Sequence, residues 1–252
     1  MLSIQRQREI LTYIASHKSV QVVELSDTFN ASQATVRRDL RQLEEEGLIQ
    51  RVHGGAVYIE PEAESPAMLR KSHQAAYKQR IGQAAAGLVQ DGETIIITSG
   101  TTTEAMLPYL ANKSNLTVIT NALNIGYQLV RYPQISTVVL GGWLRHSEFS
   151  LLGHLTEQAL HGLHADKIFH GVFGISPEHG LTGSYFQEAQ TDKALINAAR
   201  ELIVLADHSK FEQVGPIQLA SLDIISKVLT DTEAPEADIK ALRSLGIMVM
   251  QV

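Results

Sequence analysis

Ser32-Gln33-Ala34-Thr35-Val36-Arg37-Arg38-Asp39-Leu40 decides how the first quarter of this chain folds. Val36, Leu40 and Leu43 recur at spacings of four and three, which predicts one apolar stripe on a helix over Gln33–Glu45. Ser32 stands where its hydroxyl can accept from a backbone N–H that has no partner within the helix. Gln33, Arg37 and Arg41 share the opposite face at spacings of four, with Arg38 alongside. Gly47 offers a left-handed stop. The cations occupy the first turns and the acids Glu44, Glu45 and Glu46 the last, an order that opposes the helix dipole. A sequence that keeps this unfavourable order needs its cations there for a partner, and a rod with one cationic face fits duplex DNA.

The flanking residues agree with that reading. Gln5 to His17 carries Ile10, Leu11 and Ile14 at helical spacing. Val22, Val23, Leu25 and Phe29 mark a second short helix ended by Asn30. Helix, helix, tight turn and polar-faced helix is the helix-turn-helix order, here over Val20 to Asp39. Leu48 to Tyr58 places apolar residues around Gly54-Gly55, a hairpin signal because glycine tolerates positive φ. A hairpin there makes a wing, with Arg51 and His53 near its tip. The candidate contacts to double-stranded DNA are Ser32, Gln33, Thr35, Arg37, Arg38, Arg41, Arg51 and His53, the guanidiniums and the Gln33 amide being suited to guanine and adenine edges. An Arg-rich face also serves plain solubility; the helix order, the serine cap and the glycine hairpin together favour DNA. Residues 1–57 hold seven Lys/Arg and seven Asp/Glu, so the whole net charge of −6 falls on the remainder. A segment so nearly neutral makes few phosphate contacts per subunit, so two subunits are expected on one site.

A chain of 252 residues suits one small and one larger domain. No apolar run approaches the roughly 20 residues that cross a bilayer, and the polar start lacks a signal-peptide core. Without cysteine there are no disulfides or thiolate sites. Cytoplasm is the expected compartment, with no membrane partner. Pro61 and Pro66, with Glu60, Glu62 and Glu64, read as a linker. The expected division is a winged helix-turn-helix over 1–58, a linker over 59–74 and a larger domain over 75–252, whose first helix starts near Ala75 with Ile81, Ala84, Ala85 and Leu88 inward.

From Asp91 short β-rich runs alternate with helical patterns. Candidate strands are Thr94–Thr98, Leu116–Thr120, Ser136–Leu140, Lys167–Val172, Leu202–Leu205, Ile224–Leu229 and Ile247–Val252. Candidate helices include Glu104–Ala111, Leu123–Tyr132 and Thr191–Arg200. The alternation predicts an α/β domain with a largely parallel sheet, whose ligands sit beyond the carboxyl ends of the strands. The loops there are polar. Ser99-Gly100-Thr101-Thr102-Thr103 leads into a helix and can cradle a phosphate. Thr120-Asn121, Gly141-Gly142 and Asp207-His208-Ser209-Lys210 end three other strands, and Glu188 adds a carboxylate. These loops resemble a site for a small phosphorylated polyol. Taken singly, the hydroxyls could cap helices, the glycines form a turn, and Asp207 and Lys210 a surface pair. There is no Walker A loop and no G-x-G-x-x-G fingerprint. His154, His161, His164 and His170 have no acidic partner at ligand spacing, so no metal is expected.

The blocks quoted so far resemble the DeoR family of bacterial transcriptional regulators over nearly the whole chain. Arg8-Glu9-Ile10-Leu11, Ser32 to Leu40 and Arg51-Val52-His53-Gly54-Gly55-Ala56 are similar to its DNA-binding half. Ser99 to Thr103, Thr120-Asn121, Leu140-Gly141-Gly142 and Leu205 to Lys210 are similar to its sensor half. The resemblance implies a winged-helix domain, a Rossmann-like domain related to ribose-5-phosphate isomerase and glucosamine-6-phosphate deaminase, a sugar-phosphate effector, a homo-oligomer (dimer or tetramer), and repression of a catabolic operon. One departure stands out: many members read Gly-Ile-Asp where this chain reads Gly174-Ile175-Ser176. Losing that carboxylate weakens any acid–base role. An isomerase or deaminase using Asp207, His208, Lys210 and Glu188 is the enzymatic alternative, but no nucleophile–base spacing supports it. Hence no catalytic residue and no cofactor are assigned. A winged helix that binds protein instead of DNA is the third reading.

Overall fold

The computed structural model describes residues 3–45, 49–52, 54–58 and 66–252, which divide between Met68 and Leu69 into two compact units. The first unit runs α1 (Ser3–His17), β1 (Ser19–Gln21), α2 (Val22–Thr28), α3 (Gln33–Glu45), β2 (Ile49–Val52) and β3 (Gly55–Tyr58). Its core takes Ile10 and Ile14 from α1, Leu25 from α2, and Val36, Leu40 and Leu43 from α3. These are the apolar stripes expected from spacing. Asn30 takes a left-handed φ of 46° in the turn between α2 and α3.

β2 and β3 pair antiparallel with Val52 opposite Gly55, which makes the wing. Gly54 supplies the positive φ of the turn. Gly55 is needed for a different reason: a Cβ there would overlap the Val20 carbonyl of β1, which runs antiparallel to β3. β1 was not expected, because three residues carry no periodicity and only Lys18, at φ 63°, marks the turn before it. His53, Glu46, Gly47, Leu48 and the stretch 59–65 lie outside the described residues. Where composition predicts linker up to residue 74, Ala67–Arg70 forms a one-turn helix, α4.

The second unit contains α5 (Ala75–Gly87), β4 (Thr94–Ile97), α6 (Thr101–Glu104), β5 (Thr117–Thr120), α7 (Leu123–Leu129), β6 (Ser136–Val139), β7 (Trp143–Arg145), β8 (Ser150–Leu152), α8 (His154–Leu160) and β9 (Ala165–Gly171). There follow β10 (Gly174–Ser176), β11 (Gly180–Gly183), α9 (Phe186–Asn197), β12 (Ala199–Leu205), β13 (Ile217–Ala220), β14 (Ile225–Thr230), α10 (Glu236–Ser244) and β15 (Met248–Gln251). A seven-stranded sheet, ordered β15-β14-β12-β9-β4-β5-β6, is parallel throughout. Its strands are the seven expected, within one or two residues at their ends except that β12 starts three residues earlier, at Ala199. One face packs Ile95, Ile97, Phe169 and Ile203 against Ile81 of α5 and Ile125 of α7. The other packs Ile96, Ile168 and Val204 against Leu195 of α9 and Leu242 of α10. Alternate residues of the inner strands thus serve opposite layers, as a doubly covered sheet requires.

Several boundaries differ from expectation. Glu104–Ala111 is not one helix: α6 ends at Glu104 and a 3-10 turn follows at Leu107–Leu110, where Pro108 breaks the α pattern. The helix expected over Thr191–Arg200 starts earlier, at Phe186, and stops at Asn197, because Ala199 and Arg200 already belong to β12. The hairpin β7–β8 and the antiparallel sheet β10-β11-β13 are additions that the alternating pattern did not reveal.

Candidate functional site

On the first unit, α3 turns Val36, Leu40 and Leu43 inward and leaves Gln33, Arg37, Arg38 and Arg41 exposed. Ser32 Oγ accepts from the Thr35 backbone N–H at 3.2 Å and lies 2.9 Å from the Thr35 hydroxyl. The Ser32 hydroxyl therefore caps the helix, and the Thr35 hydroxyl is engaged with it. Arg51 is tied back to α3: its Nε donates to Glu44 Oε2 at 2.6 Å and its N–H to Oε1 at 3.0 Å. These bonds hold the Glu44 carboxyl below its ordinary range. The wing arginine placed beside phosphate by sequence is thus half neutralised by the last turn of α3. Gln33, Arg37, Arg38 and Arg41 remain as one open polar face.

In the second unit the chain order runs outward from β4 in both directions, to β5 and β6 on one side and to β9, β12 and β14 on the other. The switch of direction lies between β4 and β9, and a crevice opens at such a point beyond the carboxyl ends of the strands. Ser99-Gly100 occupies it. A Cβ on Gly171, at the end of β9, would stand only 3.3 Å from the Ser99 carbonyl. Gly100 takes φ 138°, and α6 begins directly after it, so N–H groups of its first turn face the loop without helical acceptors.

The expected effector residues divide by what their polar atoms already do. Thr103 Oγ1 lies 2.8 Å from the carbonyls of both Thr98 and Gly100 and braces the loop. Thr120 Oγ1 donates to the Ile97 carbonyl at 2.7 Å and accepts from Ala122 N–H at 3.0 Å. Gly141 and Gly142 serve packing: Thr156 Oγ1 donates to the Gly141 carbonyl at 2.5 Å, and a Cβ on Gly142 would overlap Thr156 and Leu152. The Asp207 carboxylate accepts from Ser209 N–H at 3.1 Å and from the Ser209 hydroxyl. The Lys210 ammonium lies 6.0 Å from the centre of the Phe173 ring. Glu188 accepts from Arg145 and, at 2.8 Å, from Ser150 Oγ. Ser150 is bridged to Ala122, which brings that carboxylate beside the Thr120-Asn121 loop. Asn121 donates to the Leu151 carbonyl at 3.4 Å, while its Oδ1 is buried with no hydrogen-bond partner. Ser99, Thr101, Thr102 and Asn121 Oδ1 are the polar groups of this rim not spent on the framework.

Among the described residues no cluster of three or more His, Asp or Glu could hold a metal ion. His154, His161 and His164 are exposed, whereas His170 is buried in β9. Ser176, standing where a carboxylate is common, accepts from His179 N–H at 3.1 Å in the β10–β11 turn.

A family model described as the DeoR-like helix-turn-helix domain matches residues 6–62, from within α1 to beyond β3. A second, the DeoR C-terminal sensor domain, matches residues 73–232, from the approach to α5 to the end of β14. The chain belongs to the DeoR family. It is therefore a transcriptional regulator with a DNA-binding helix-turn-helix, and not a member of an enzyme family. The glycerol-3-phosphate regulon repressor of Escherichia coli K12 is 31% identical over 96% of both chains. The transcriptional repressor CsqR of the same strain is 31% identical over 94% of this chain and 90% of its own. Among solved structures, ribose 5-phosphate isomerase A from Methanocaldococcus jannaschii covers 55% of each chain, with a TM-score of 0.41 and 19% identity.

Three groups in this DeoR-family sensor unit escaped the sequence reading. Buried Glu104 gathers Lys71 Nζ at 2.6 Å, Asn124 Nδ2 at 2.9 Å and Gln128 Nε2 at 2.5 Å, so it anchors the C-terminal end of α6. Arg145 pairs with Glu188 and stacks 4.3 Å from the centre of the Tyr185 ring. Asp231 accepts from His208 N–H at 2.8 Å and lies 3.0 Å from its Nδ1. Each pairing joins residues from different parts of the sequence, so spacing carried no sign of it.

Proposed function

We propose that this protein is a repressor of a carbohydrate-catabolism operon, and that a phosphorylated sugar or polyol bound in the second unit controls its hold on the operator. The observation that carries the reading is the open face of α3. Gln33, Arg37, Arg38 and Arg41 are exposed on a helix whose other side is locked into the core. In the major groove this face offers guanidiniums to guanine and an amide to adenine, with Arg41 and Arg51 toward phosphate. A DNA-binding segment with no net charge over residues 1–57 needs a second copy to hold one operator, so a homo-oligomer bound to half-sites about 34 Å apart or a multiple of that fits best. The cytoplasm is the matching compartment.

The crevice at Ser99–Thr103 supports the effector half of the proposal. Free N–H groups, the Ser99 hydroxyl and a positive-φ glycine suit a phosphate, while Asn121 Oδ1 is left to accept from a hydroxyl of the ligand. Control requires that the ligand favour one arrangement of the DNA heads over the other, for which a coupling of roughly 1–3 kcal/mol is usual.

A gel shift on the operator region beside the gene, repeated with a panel of sugar and polyol phosphates including glycerol 3-phosphate, tests both halves. Binding is expected to vanish in the Arg37→Glu/Arg38→Glu variant and to change with one ligand class. Operator binding that survives this double reversal in a folded protein overturns the DNA half. An unmoved band across the whole panel overturns the effector half.

A further inference from the structure

The two edges of the seven-stranded sheet are not treated alike. At β15, Arg243 Nη2 donates to the Val249 carbonyl at 3.2 Å, so a side chain guards the outer rim. At β6, Ser136 N–H and Leu140 N–H donate inward to the carbonyls of Leu116 and Thr120. Strand period two then turns the N–H and C=O of Thr137 and Val139 outward. Among the described residues no hydrogen bond meets those four groups, and all of Ser136–Val139 is exposed. An uncharged edge with no proline, no bulge and no cover is one that monomeric proteins avoid.

The flanks of this edge are apolar. α7 and the residue that caps it present Leu123, Tyr127 and Val130 outward, the last two being 75% and 77% exposed. The helix is seated directly on the edge strand: a Cβ on Gly126 would clash with the Val139 side chain. At the far end of β6 the chain passes through Gly141-Gly142 to Trp143, 82% exposed. With Val138 and Val139 these six side chains expose on the order of 600 Å². That reaches the upper limit of what a monomer leaves open and approaches the ~800 Å² each partner contributes to a standard interface. None of the six is charged.

We infer that β6, with α7 and Trp143, is the surface on which a second copy of this chain docks, pairing β6 antiparallel to its own counterpart about a two-fold axis. The inference rests on the homo-oligomer proposed above and assigns it a surface. With Thr137 opposite Val139 of the partner, the outward groups satisfy one another. Val138 then faces the partner's Val138 in a non-hydrogen-bonded pair, with Cα atoms about 4.5 Å apart, close enough for a disulfide.

The chain has one tryptophan and no cysteine, which makes the test clean. Light scattering on the full chain is expected to show a mass of at least two copies. On dilution, Trp143 emission moves to the red and acrylamide quenching rises as the mass halves. Val138→Cys under mild oxidant runs as a covalent dimer, while Ser244→Cys does not. Tyr127→Glu/Val130→Glu shifts the mass toward monomer with an unchanged circular dichroism spectrum. A wild type that stays monomeric at ~100 µM defeats both the oligomer and this surface. A dimer in which Trp143 stays open to quencher and Val138→Cys fails to cross-link defeats the surface alone.

Discussion

Asp39 turns its carboxylate away from the arginines beside it and onto Arg6 of α1, accepting from Nε at 2.7 Å. Arg6 Nη2 adds a second bond at 3.4 Å and Gln7 Nε2 a third at 3.2 Å, and Asp39 is almost fully buried. The acid within the run Arg37-Arg38-Asp39 thus fixes how α3 sits against α1, leaving its neighbours' guanidiniums free. Arg6 is held charged above its ordinary range by this contact. Asp39→Ala is expected to cost about 1–2 kcal/mol, discounted because Arg6 is partly solvated, and to weaken operator binding with Arg37 and Arg38 unchanged. Urea unfolding followed beside a gel shift reads both.

Gly55→Ala should damage the wing where Gly54→Ala mainly strains a turn. The new methyl group meets the Val20 carbonyl, so β1 and β3 must part. A loss of about 1–3 kcal/mol is expected, in the range of overpacked cores. Thermal melting of the two variants side by side checks it, and an undisturbed Gly55→Ala would contradict the close approach.

Arg41→Gln is expected to weaken operator binding by a similar factor on matched and mismatched sequences. If Arg41 meets phosphate, the slope of log affinity against log salt falls by about 1 per subunit. Arg38→Gln, at a base edge, should instead relax discrimination at one position. Titrations at several salt concentrations separate the two.

His170 has both ring nitrogens buried without hydrogen-bond partners, and burial pushes its pKa down to about 4. The unfolded chain therefore takes up the proton first. Stability of the second unit is full above pH 6.5, declines as pH falls and is about 3 kcal/mol lower near pH 4. His170→Leu should flatten that limb of the curve. Denaturation midpoints between pH 7 and 4 measure it, and identical slopes would show that His170 takes no part.

Local pattern carried most of the architecture. Spacing in residues 33–45, the Gly54-Gly55 pair and the alternation after Asp91 were enough for α3, the wing and all seven parallel strands, because helix stripes, turn glycines and β-rich runs are local signals. What the sequence could not announce were contacts between distant residues. Arg51 on Glu44, Arg145 on Glu188 and Lys71 on Glu104 consume charges that composition counts as available. The hydroxyls of Thr103 and Thr120, legible as ligand groups, turned out to brace their own loops. β1, β7 and β8 span three residues each, too few for a period to show.

From its sequence alone this chain was bound to build a cationic helix on a small helical core and a parallel sheet with polar loops at one end. Side-chain period and glycine placement are local properties, set by sterics and by the loss of water from apolar faces. Tertiary structure alone decided which of those polar groups remain free, that the Ser99 loop meets Gly171 at the switch between β4 and β9, and that β6 is left as an open edge. These depend on which strand lies beside which, and strand order is settled only when the whole sheet closes around its core.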